Sequence, residues 1–128
     1  MVSVGVDVVE ISRIAHALAR WGDRFLRKVY TDAEIAYCGD NVQELAARFA
    51  AKESISKALG TGIVGVTWRE MEVVNEPSGK PAVRLHGRAR EVARGLGLNA
   101  FALSLSHSRE LAVAMVVADG RARGESEE

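Results

Sequence analysis

The chain has 128 residues, 48% of them hydrophobic, and its 17 Lys and Arg residues balance 17 Asp and Glu residues for a formal net charge of +0. This length favours one domain, and the composition excludes disorder of the whole chain. The charge balance argues against a general nucleic-acid binder, and no apolar run is long enough to span a membrane, so we predict a soluble, cytoplasmic protein.

The first predicted element is a strand. Val2, Val4, Val6 and Val8 alternate with other residues, which is the period of two of a strand with one buried face. Asp7 lies on the other face and needs a cation or hydrogen-bond donors, because an unpaired buried carboxylate is costly. A salt bridge or a local cap would also meet that need.

Three helices are predicted next. The segment EISRIAHALARWG has apolar residues from Ile11 to Trp21 at helical spacing, and after a short piece around DRFLRKVY the motif TDAE has the pattern of a capping box. That brief helix runs to Cys38, the only cysteine, whose thiol we expect to be buried. The longest helix covers Val42–Leu59, which contains no Gly or Pro, and it ends at Gly60.

Strands dominate the remaining chain. We predict strands at Val64–Thr67 and Met71–Val74, a turn at EPSGKP, a partner strand at Ala82–Leu85 and a helix over about Gly87–Leu96. The segments FALSL and LAVAMVVA form a hairpin joined by SHSRE. Helices and strands without regular βαβ alternation indicate an α+β fold for residues 1–118, and residues 119–128 form a polar tail.

Two motifs carry side chains suited to phosphate chemistry. In RFAAKESISKALGTG, Glu53 and Lys57 lie four residues apart on one helical face, an arrangement that is also an ordinary surface ion pair. In LSLSHSRE, Ser104, Ser106 and His107 end a strand, and the flanks lack the Gly-x-Ser-x-Gly elbow of serine hydrolases. A histidine there could bind a phosphate, and the turn could equally be structural.

Taken together, these motifs closely resemble the holo-acyl-carrier-protein synthase family of small phosphopantetheinyl transferases. The segments VGVDVVEISRI, RFAAKESISKALGTG, VNEPSGKPAVRL and ALSLSHSRELAVAMVV carry the resemblance in this order, from about Val4 to Val117. The resemblance implies the family's fold, in which an antiparallel sheet packs around a long helix. The block reads KES here, where many members have KEA.

The resemblance also implies an activity. Members transfer the 4′-phosphopantetheine group of coenzyme A to a serine of an apo acyl carrier protein for fatty acid biosynthesis, release adenosine 3′,5′-bisphosphate and require Mg²⁺. Asp7 and Glu53 match the family's two metal carboxylates, which suits the preference of Mg²⁺ for oxygen ligands. Glu53 and Lys57 are the implied catalytic residues.

Further matches imply binding surfaces and an assembly. The residues that match positions around the coenzyme A phosphates are Arg48, Lys52, Gly62 and His107. Arg13 and Arg24, with Phe25 as an apolar anchor, match a basic docking surface for the acidic carrier protein. Members of this short type are homotrimers with active sites at subunit interfaces. The LAVAMVVA strand could supply such an interface or belong to the core.

Two other functions are compatible with the same residues. A non-catalytic module that binds coenzyme A or a nucleotide would bind its ligand without releasing adenosine 3′,5′-bisphosphate. A divalent-metal phosphohydrolase would use Asp7 and Glu53 for attack by water and would need no carrier protein.

Overall fold

The structure, a computed structural model, describes residues 1–62 and 65–121. Its elements in chain order are β1 (Val2–Glu10), α1 (Ile11–Trp21), α2 (Asp23–Val29), α3 (Asp32–Cys38), α4 (Val42–Leu59), a 3₁₀ turn (Trp68–Glu70), β2 (Met71–Asn75), β3 (Pro81–Leu85), α5 (Gly87–Gly95), β4 (Ala100–His107) and β5 (Leu111–Asp119). None of the helices in these residues is long and apolar enough to cross a membrane.

Helix α4 is the central element of the core. Its bounds are those predicted, because the Asn41 side chain accepts hydrogen bonds from two backbone N–H groups of the first turn and Gly60 ends the helix with a φ of 76°. From Leu45 to Leu59 every residue is buried except Glu53 and Lys57. Over this stretch the helix is surrounded on nearly all sides, and its only two solvent-accessible residues are charged, which makes them candidates for function.

Two antiparallel sheets pack against α4. The first has three strands in the order β1-β5-β4, and the second is the hairpin of β2 and β3. The α+β fold with an antiparallel sheet around a long helix is thus confirmed. The capping box of α3 is present as well, because Glu34 N donates to Thr31 Oγ1 and Thr31 N donates to Glu34 Oε1.

The predicted buried face of β1 is wrong. Val2, Val4, Val6 and Val8 are between 50% and 60% exposed, whereas Gly5 and Val9 on the opposite face are buried, with β1 packed against α4. Alternation identifies two faces of a strand but does not say which one meets the core. The apolar face of β1 is therefore open in a single chain.

The exposed valines continue across the three-stranded sheet. Val6 lies opposite Met115 of β5, which in turn lies opposite Ser104 of β4. Val4 and Val8 are opposite further valines of β5. We call this surface the open sheet face; its apolar members are Val2, Val4, Val6, Val8, Leu111, Val113, Met115 and Val117.

Three other expectations need correction or completion. Trp21 is 46% exposed and does not belong to the buried face of α1. Residues 65–67 form a turn that leads into the 3₁₀ turn and not a strand, and Val64 lies outside the described residues. Asp119, the first residue of the predicted tail, is the last residue of β5, while residues 122–128 lie outside the described residues.

The thiol of Cys38 lies in the core, as predicted. The side chain is 5% exposed at the end of α3. Burial raises its pKa to about 11, so the thiol stays protonated and unreactive at neutral pH.

Candidate active site

The candidate site lies where β1 crosses α4. A methyl group at Gly5 would collide with the backbone carbonyl oxygen of Ser54, so the two main chains are in direct contact. Only glycine permits this approach, because it has no Cβ. The contact brings Asp7, two residues further along the same face of β1, to the exposed side of α4 that carries Glu53 and Lys57.

Asp7 and Lys57 form an ion pair. Lys57 Nζ donates hydrogen bonds to Asp7 Oδ1 at 3.1 Å and to the backbone carbonyl oxygen of Val6 at 2.9 Å. The Asp7 side chain is 17% exposed and the Lys57 side chain is 53% exposed. The structure thus supplies the cation that Asp7 needs, and the ammonium is held at a defined place while it still faces solvent.

Glu53 belongs to the same cluster. Burial and the negative charge of Asp7 raise the pKa of Glu53, and the positive charges of Arg13 and Lys57 counteract part of this rise. Glu53 therefore lies close enough to Asp7 to feel its charge. We call Asp7, Glu53 and Lys57 the carboxylate cluster, and Arg13 lies at its edge.

The two carboxylates of this cluster fit Mg²⁺. Mg²⁺ is commonly held by one or two carboxylates together with water and substrate phosphate, whereas structural zinc takes four protein ligands. Within residues 1–62 and 65–121 no group of three or more Asp, Glu, His or Cys residues is placed to hold a metal ion. The repulsion between Asp7 and Glu53 that raises the pKa of Glu53 would be relieved by a divalent cation.

Arg48 lies on a different side of α4. Its guanidinium donates hydrogen bonds to Glu44 Oε2 at 2.9 Å and to Asn75 Oδ1, and it stacks over the ring of Tyr37 at 4.4 Å. The side chain is buried, yet Arg48 Nε has no hydrogen-bond partner within the described part of the chain. A buried guanidinium with an unused donor is suited to an anion that completes its hydrogen bonds.

Arg48 and His107 share a cavity. The cavity has a volume of about 390 Å³ and is also lined by Lys80 and Gly79 of the β2–β3 turn. We call it the Arg48 cavity. Arg48, Lys80 and His107 thus line one recess together with Glu44, which is paired with Arg48.

Lys52 does not lie in this recess. Its side chain is fully buried, and Lys52 Nζ donates to Glu34 Oε1 at 2.7 Å and to the carbonyl oxygens of Met71 and Trp68. All three N–H donors are therefore used inside the protein. Burial lowers the pKa of Lys52, and Glu34 offsets part of that effect. The predicted contact of Lys52 with a phosphate is wrong because the ammonium cannot reach solvent.

Replacing Lys52 with methionine is expected to lower the free energy of unfolding by about 3 kcal/mol, because the substitution leaves the Glu34 carboxylate buried without its cation. Urea unfolding at pH 7 measures this change. The dissociation constant for coenzyme A should stay within twofold of the wild-type value in the folded variant. A large rise in the dissociation constant without a loss of stability would show that Lys52 contacts the ligand.

Gly62 is placed in the loop after α4. It is exposed and has a φ of 59°, a conformation that favours glycine. Among the described residues it does not line the Arg48 cavity. The structure therefore does not bring Gly62 together with Arg48 and His107 in a single chain.

The predicted docking residues surround an aromatic stack. Phe25 stacks on Phe49 at 6.4 Å between ring centroids, and Phe49 stacks on Trp68 at 4.7 Å. The guanidinium of Arg13 lies 5.6 Å from the ring centroid of Phe49. Phe25 is thus half-buried and packs against the core, whereas Arg13 joins this surface to the carboxylate cluster.

Comparison with known proteins identifies the family. Residues 3–115 match the sequence family described as the 4′-phosphopantetheinyl transferase superfamily. The chain belongs to this superfamily. The resemblance drawn from the sequence motifs is therefore confirmed, and the transferase class of the chain with it.

Relatives of this transferase align over nearly its whole length. The holo-acyl-carrier-protein synthase of Herpetosiphon aurantiacus is 50% identical over 127 residues, covering 94% of this chain and 100% of the relative. The synthase of the same name from Koribacter versatilis is 50% identical over 121 residues, covering 91% and 97%.

Solved structures agree with the fold of the transferase. The crystal structure of Helicobacter pylori holo-acyl-carrier-protein synthase in complex with coenzyme A has a TM-score of 0.84 at 30% identity, covering 91% of this chain and 99% of that chain. The Bacillus anthracis synthase in complex with coenzyme A has a TM-score of 0.76 at 34% identity, covering 93% and 96%.

Sequence reasoning missed several residues of the transferase that the structure places at these sites. Asn75 precedes the EPSGKP turn and Lys80 lies within it; neither residue was singled out from the sequence, and both line the Arg48 cavity. Trp21 is exposed between the guanidinium groups of Arg20 and Arg24, at 4.9 and 5.5 Å from its ring centroid.

Proposed function

We propose that the chain transfers the 4′-phosphopantetheine group of coenzyme A to a serine hydroxyl of an apo acyl carrier protein, releasing adenosine 3′,5′-bisphosphate. The observation that carries the proposal is the carboxylate cluster, where Asp7, Glu53 and Lys57 meet on the exposed side of α4. The names of the relatives and the coenzyme A in the related crystal structures support the same reaction.

Coenzyme A is proposed to bind with its anionic end in the Arg48 cavity. Arg48 Nε offers a donor that nothing uses in the described residues, and Lys80 and His107 add donors around the same recess. A bound phosphate oxygen would complete the hydrogen bonds of the buried guanidinium, and charge-assisted bonds of this kind are stronger than neutral ones. These three residues therefore bind and orient the nucleotide.

In the proposed reaction, the serine oxygen of the carrier forms a bond to the phosphorus next to pantetheine. The bond between that phosphorus and the oxygen bridging to the second phosphorus breaks, and adenosine 3′,5′-bisphosphate leaves. Lys57 neutralises charge on the phosphate oxygens, since Val6 O and Asp7 hold its ammonium in place. Glu53, a carboxylate on the exposed side of α4, accepts the serine proton.

Mg²⁺ is the proposed cofactor, held by Asp7 and Glu53. When bound, it supplies positive charge that neutralises the phosphates of coenzyme A. The donor set fits, because both groups are carboxylates and the charges of Arg13 and Lys57 offset their mutual repulsion only in part.

The proposed assembly is a homotrimer with active sites between subunits. Arg48 and Glu53 are five residues apart, which rotates their side chains by about 140° around α4. The Arg48 cavity and the carboxylate cluster therefore face different directions, and a second copy could bring one beside the other. The open sheet face offers an apolar surface for such a contact, since its valines and Met115 are exposed in one chain.

Replacing Met115 with glutamate is expected to convert the assembly to monomers, because the charge would lie in the middle of the open sheet face. Sedimentation velocity measures the mass, and circular dichroism checks the fold. Leu96→Glu is the matched control, because Leu96 is similarly exposed at the end of α5, away from that face. A variant Met115→Glu with unchanged mass would contradict the assignment of the face.

The acidic carrier protein is proposed to dock on the basic surface formed by Arg13 and Arg24. Arg24 and Arg20 flank the exposed ring of Trp21, and Arg13 leads from this surface to the carboxylate cluster. Exposed arginines beside an aromatic ring suit an anionic helix of a partner.

The double variant Arg13→Glu/Arg24→Glu is expected to raise the KM for the carrier protein by at least tenfold, because two attractive charges become repulsive. The dissociation constant for coenzyme A should not change. The double variant Arg88→Glu/Arg109→Glu alters the net charge equally at other exposed positions and serves as control. An equal effect of both variants would show a general charge effect instead of docking.

One assay separates the proposed function from the two alternatives. The protein is mixed with coenzyme A, Mg²⁺ and the apo carrier of fatty acid synthesis, and the carrier mass is measured. We expect the carrier to gain the mass of one phosphopantetheine group. We also expect adenosine 3′,5′-bisphosphate to be released only when carrier is present. Release without carrier would indicate a phosphohydrolase, and binding of coenzyme A without release would indicate a non-catalytic module.

The setting of the reaction is proposed to be the cytoplasm, with the carrier of fatty acid synthesis as acceptor. The lone buried thiol of Cys38 is compatible with a reducing compartment, since the chain gains no stability from disulfides.

A further inference from the structure

A second cavity lies away from the candidate active site. It has a volume of about 690 Å³ and is enclosed by β3, α5, the α5–β4 loop and the start of β4. We call it the α5 cavity. None of Asp7, Glu53, Lys57, Arg48 or His107 lines it. The two cavities lie at opposite ends of β3. Pro81, at the start of the strand, lines the Arg48 cavity, and residues 83–85, at its end, line the α5 cavity.

The α5 cavity combines an apolar floor with a cationic rim. Its apolar lining residues are Val83, Leu85, Ala93, Leu98 and Phe101, all buried or half-buried. Three exposed arginines, Arg84, Arg90 and Arg94, are also among its lining residues. Arg90 and Arg94 are four residues apart on α5 and thus lie on one side of the helix.

The charges on this rim are not neutralised by ion pairs. None of the ion pairs found within residues 1–62 and 65–121 involves Arg84, Arg90 or Arg94. The carboxylate of Glu72 is close enough to Arg84 for its charge to help lower the pKa of Glu72. Both oxygens of Glu72 are already hydrogen-bonded, one to Thr31 Oγ1 at 2.6 Å and one to His86 Nε2 at 2.9 Å.

We propose that the α5 cavity binds an amphipathic anion, a phosphate or carboxylate head group on an acyl chain. The guanidinium forks of the rim match both head groups, since arginine binds them through paired N–H donors. The apolar floor removes the acyl chain from water. The volume lies within the range of about 300–1,000 Å³ that is usual for small-molecule sites.

This site does not depend on the proposed transfer reaction. Its lining residues are separate from the carboxylate cluster and from the Arg48 cavity, so binding can be measured without turnover. A negative result in the carrier assay would not contradict the proposed ligand site, and a negative result in the binding experiment would not contradict the proposed transfer reaction.

The first experiment is calorimetric titration of the full chain with dodecyl phosphate and dodecanoate below their micelle concentrations. Both are expected to bind, and octyl phosphate should bind more weakly than dodecyl phosphate by about fourfold for each methylene removed. Stronger binding of dodecyl phosphate would assign the site to phosphorylated lipids, and stronger binding of dodecanoate to fatty acids. Equal binding of inorganic phosphate or of dodecyltrimethylammonium would overturn the proposal.

The second experiment uses matched arginine variants. The double variant Arg90→Gln/Arg94→Gln should lower the affinity for dodecyl phosphate at least tenfold. The control variant Arg88→Gln/Arg109→Gln removes two exposed charges outside the cavity and should keep the wild-type affinity. Equal affinity of both variants would overturn the proposal. If the protein bound only to anionic phosphatidylglycerol vesicles, the rim would be a membrane-binding surface. If Arg90→Gln/Arg94→Gln raised the KM for the carrier, the rim would instead bind the protein partner.

Discussion

Replacing Lys57 with methionine is expected to lower kcat by about 10²–10³-fold and to leave the free energy of unfolding within about 1 kcal/mol of the wild type. The ammonium is held by Val6 O and Asp7, yet its side chain is 53% exposed, so solvent screens the ion pair. The same charge is much more valuable beside a phosphate whose negative charge increases during the reaction. Steady-state kinetics and urea unfolding measure the two effects separately.

The conservative variant Lys57→Arg provides the control for this prediction. It keeps the positive charge but changes the shape of the donor, so partial recovery of kcat is expected relative to Lys57→Met. If Lys57→Met retained its kcat and unfolded at a much lower urea concentration, the residue would be a structural partner of Asp7 and not a catalytic residue.

Replacing Glu53 with glutamine is expected to lower kcat by about 10³–10⁴-fold, because the variant loses both a proposed metal ligand and the proposed proton acceptor. The same variant should be more stable than the wild type at pH 7 in the absence of divalent cations. Glutamine removes the repulsion from Asp7 that, together with burial, raises the pKa of Glu53. A loss of activity with a gain in stability distinguishes a functional carboxylate from a structural one.

The pH dependence of stability follows from the direction of this pKa shift. The folded protein binds the Glu53 proton more tightly than the unfolded chain, whose carboxyl titrates near 4.5. The contribution of Glu53 to stability is therefore greatest below that pH and is lost as the pH rises through the raised pKa of the folded state. The stability of the wild type relative to Glu53→Gln, measured by thermal unfolding in EDTA, should therefore fall between pH 4 and pH 7; the difference cancels the opposite trend from Glu70 and Glu72, whose pKa values are lowered.

Added Mg²⁺ gives the matching control. It should raise the melting temperature of the wild type, because binding to the folded state alone stabilises it, and it should have little effect on Glu53→Gln. Glu91→Gln removes an exposed carboxylate of α5 and should respond to Mg²⁺ like the wild type. An equal response of all three proteins would place the metal elsewhere.

Local sequence signals predicted the elements well where they act through the backbone. The cap at Asn41 and the stop at Gly60 defined α4 because both signals operate within one helical turn. The capping box at Thr31 did the same for α3. The strand at Val64–Thr67 was wrong because a short apolar run with glycine is compatible with a turn as well as with a strand.

Burial was harder to predict than element type. The valines of β1 were assigned to the core because apolar residues usually mark the buried face, but Gly5 marks it here, through contact with α4. Lys52 was matched to a phosphate-binding position by the resemblance, and nothing near it in the sequence reveals that Glu34 neutralises it inside the core. Both errors concern packing between distant segments, which helical and strand periods do not encode.

The pairing of Asp7 with α4 shows which part of the site was accessible from sequence. Residue types and the resemblance indicated that Asp7, Glu53 and Lys57 act together, and the structure brings them into one cluster. The contribution of Asn75 and Lys80 to the Arg48 cavity came only from the structure, because the return of the β2–β3 hairpin towards α4 depends on tertiary packing.

The contact between Gly5 and the carbonyl of Ser54 has a consequence for how the enzyme can be altered. The spacing between the strand carrying Asp7 and the helix carrying Glu53 is set by peptide groups, whose dimensions are the same in every protein, and not by interlocking side chains. Core residues on the other sides of α4 can therefore be exchanged to raise thermal tolerance without shifting the two carboxylates. Gly5 itself cannot be replaced, because any side chain would collide with the backbone of Ser54.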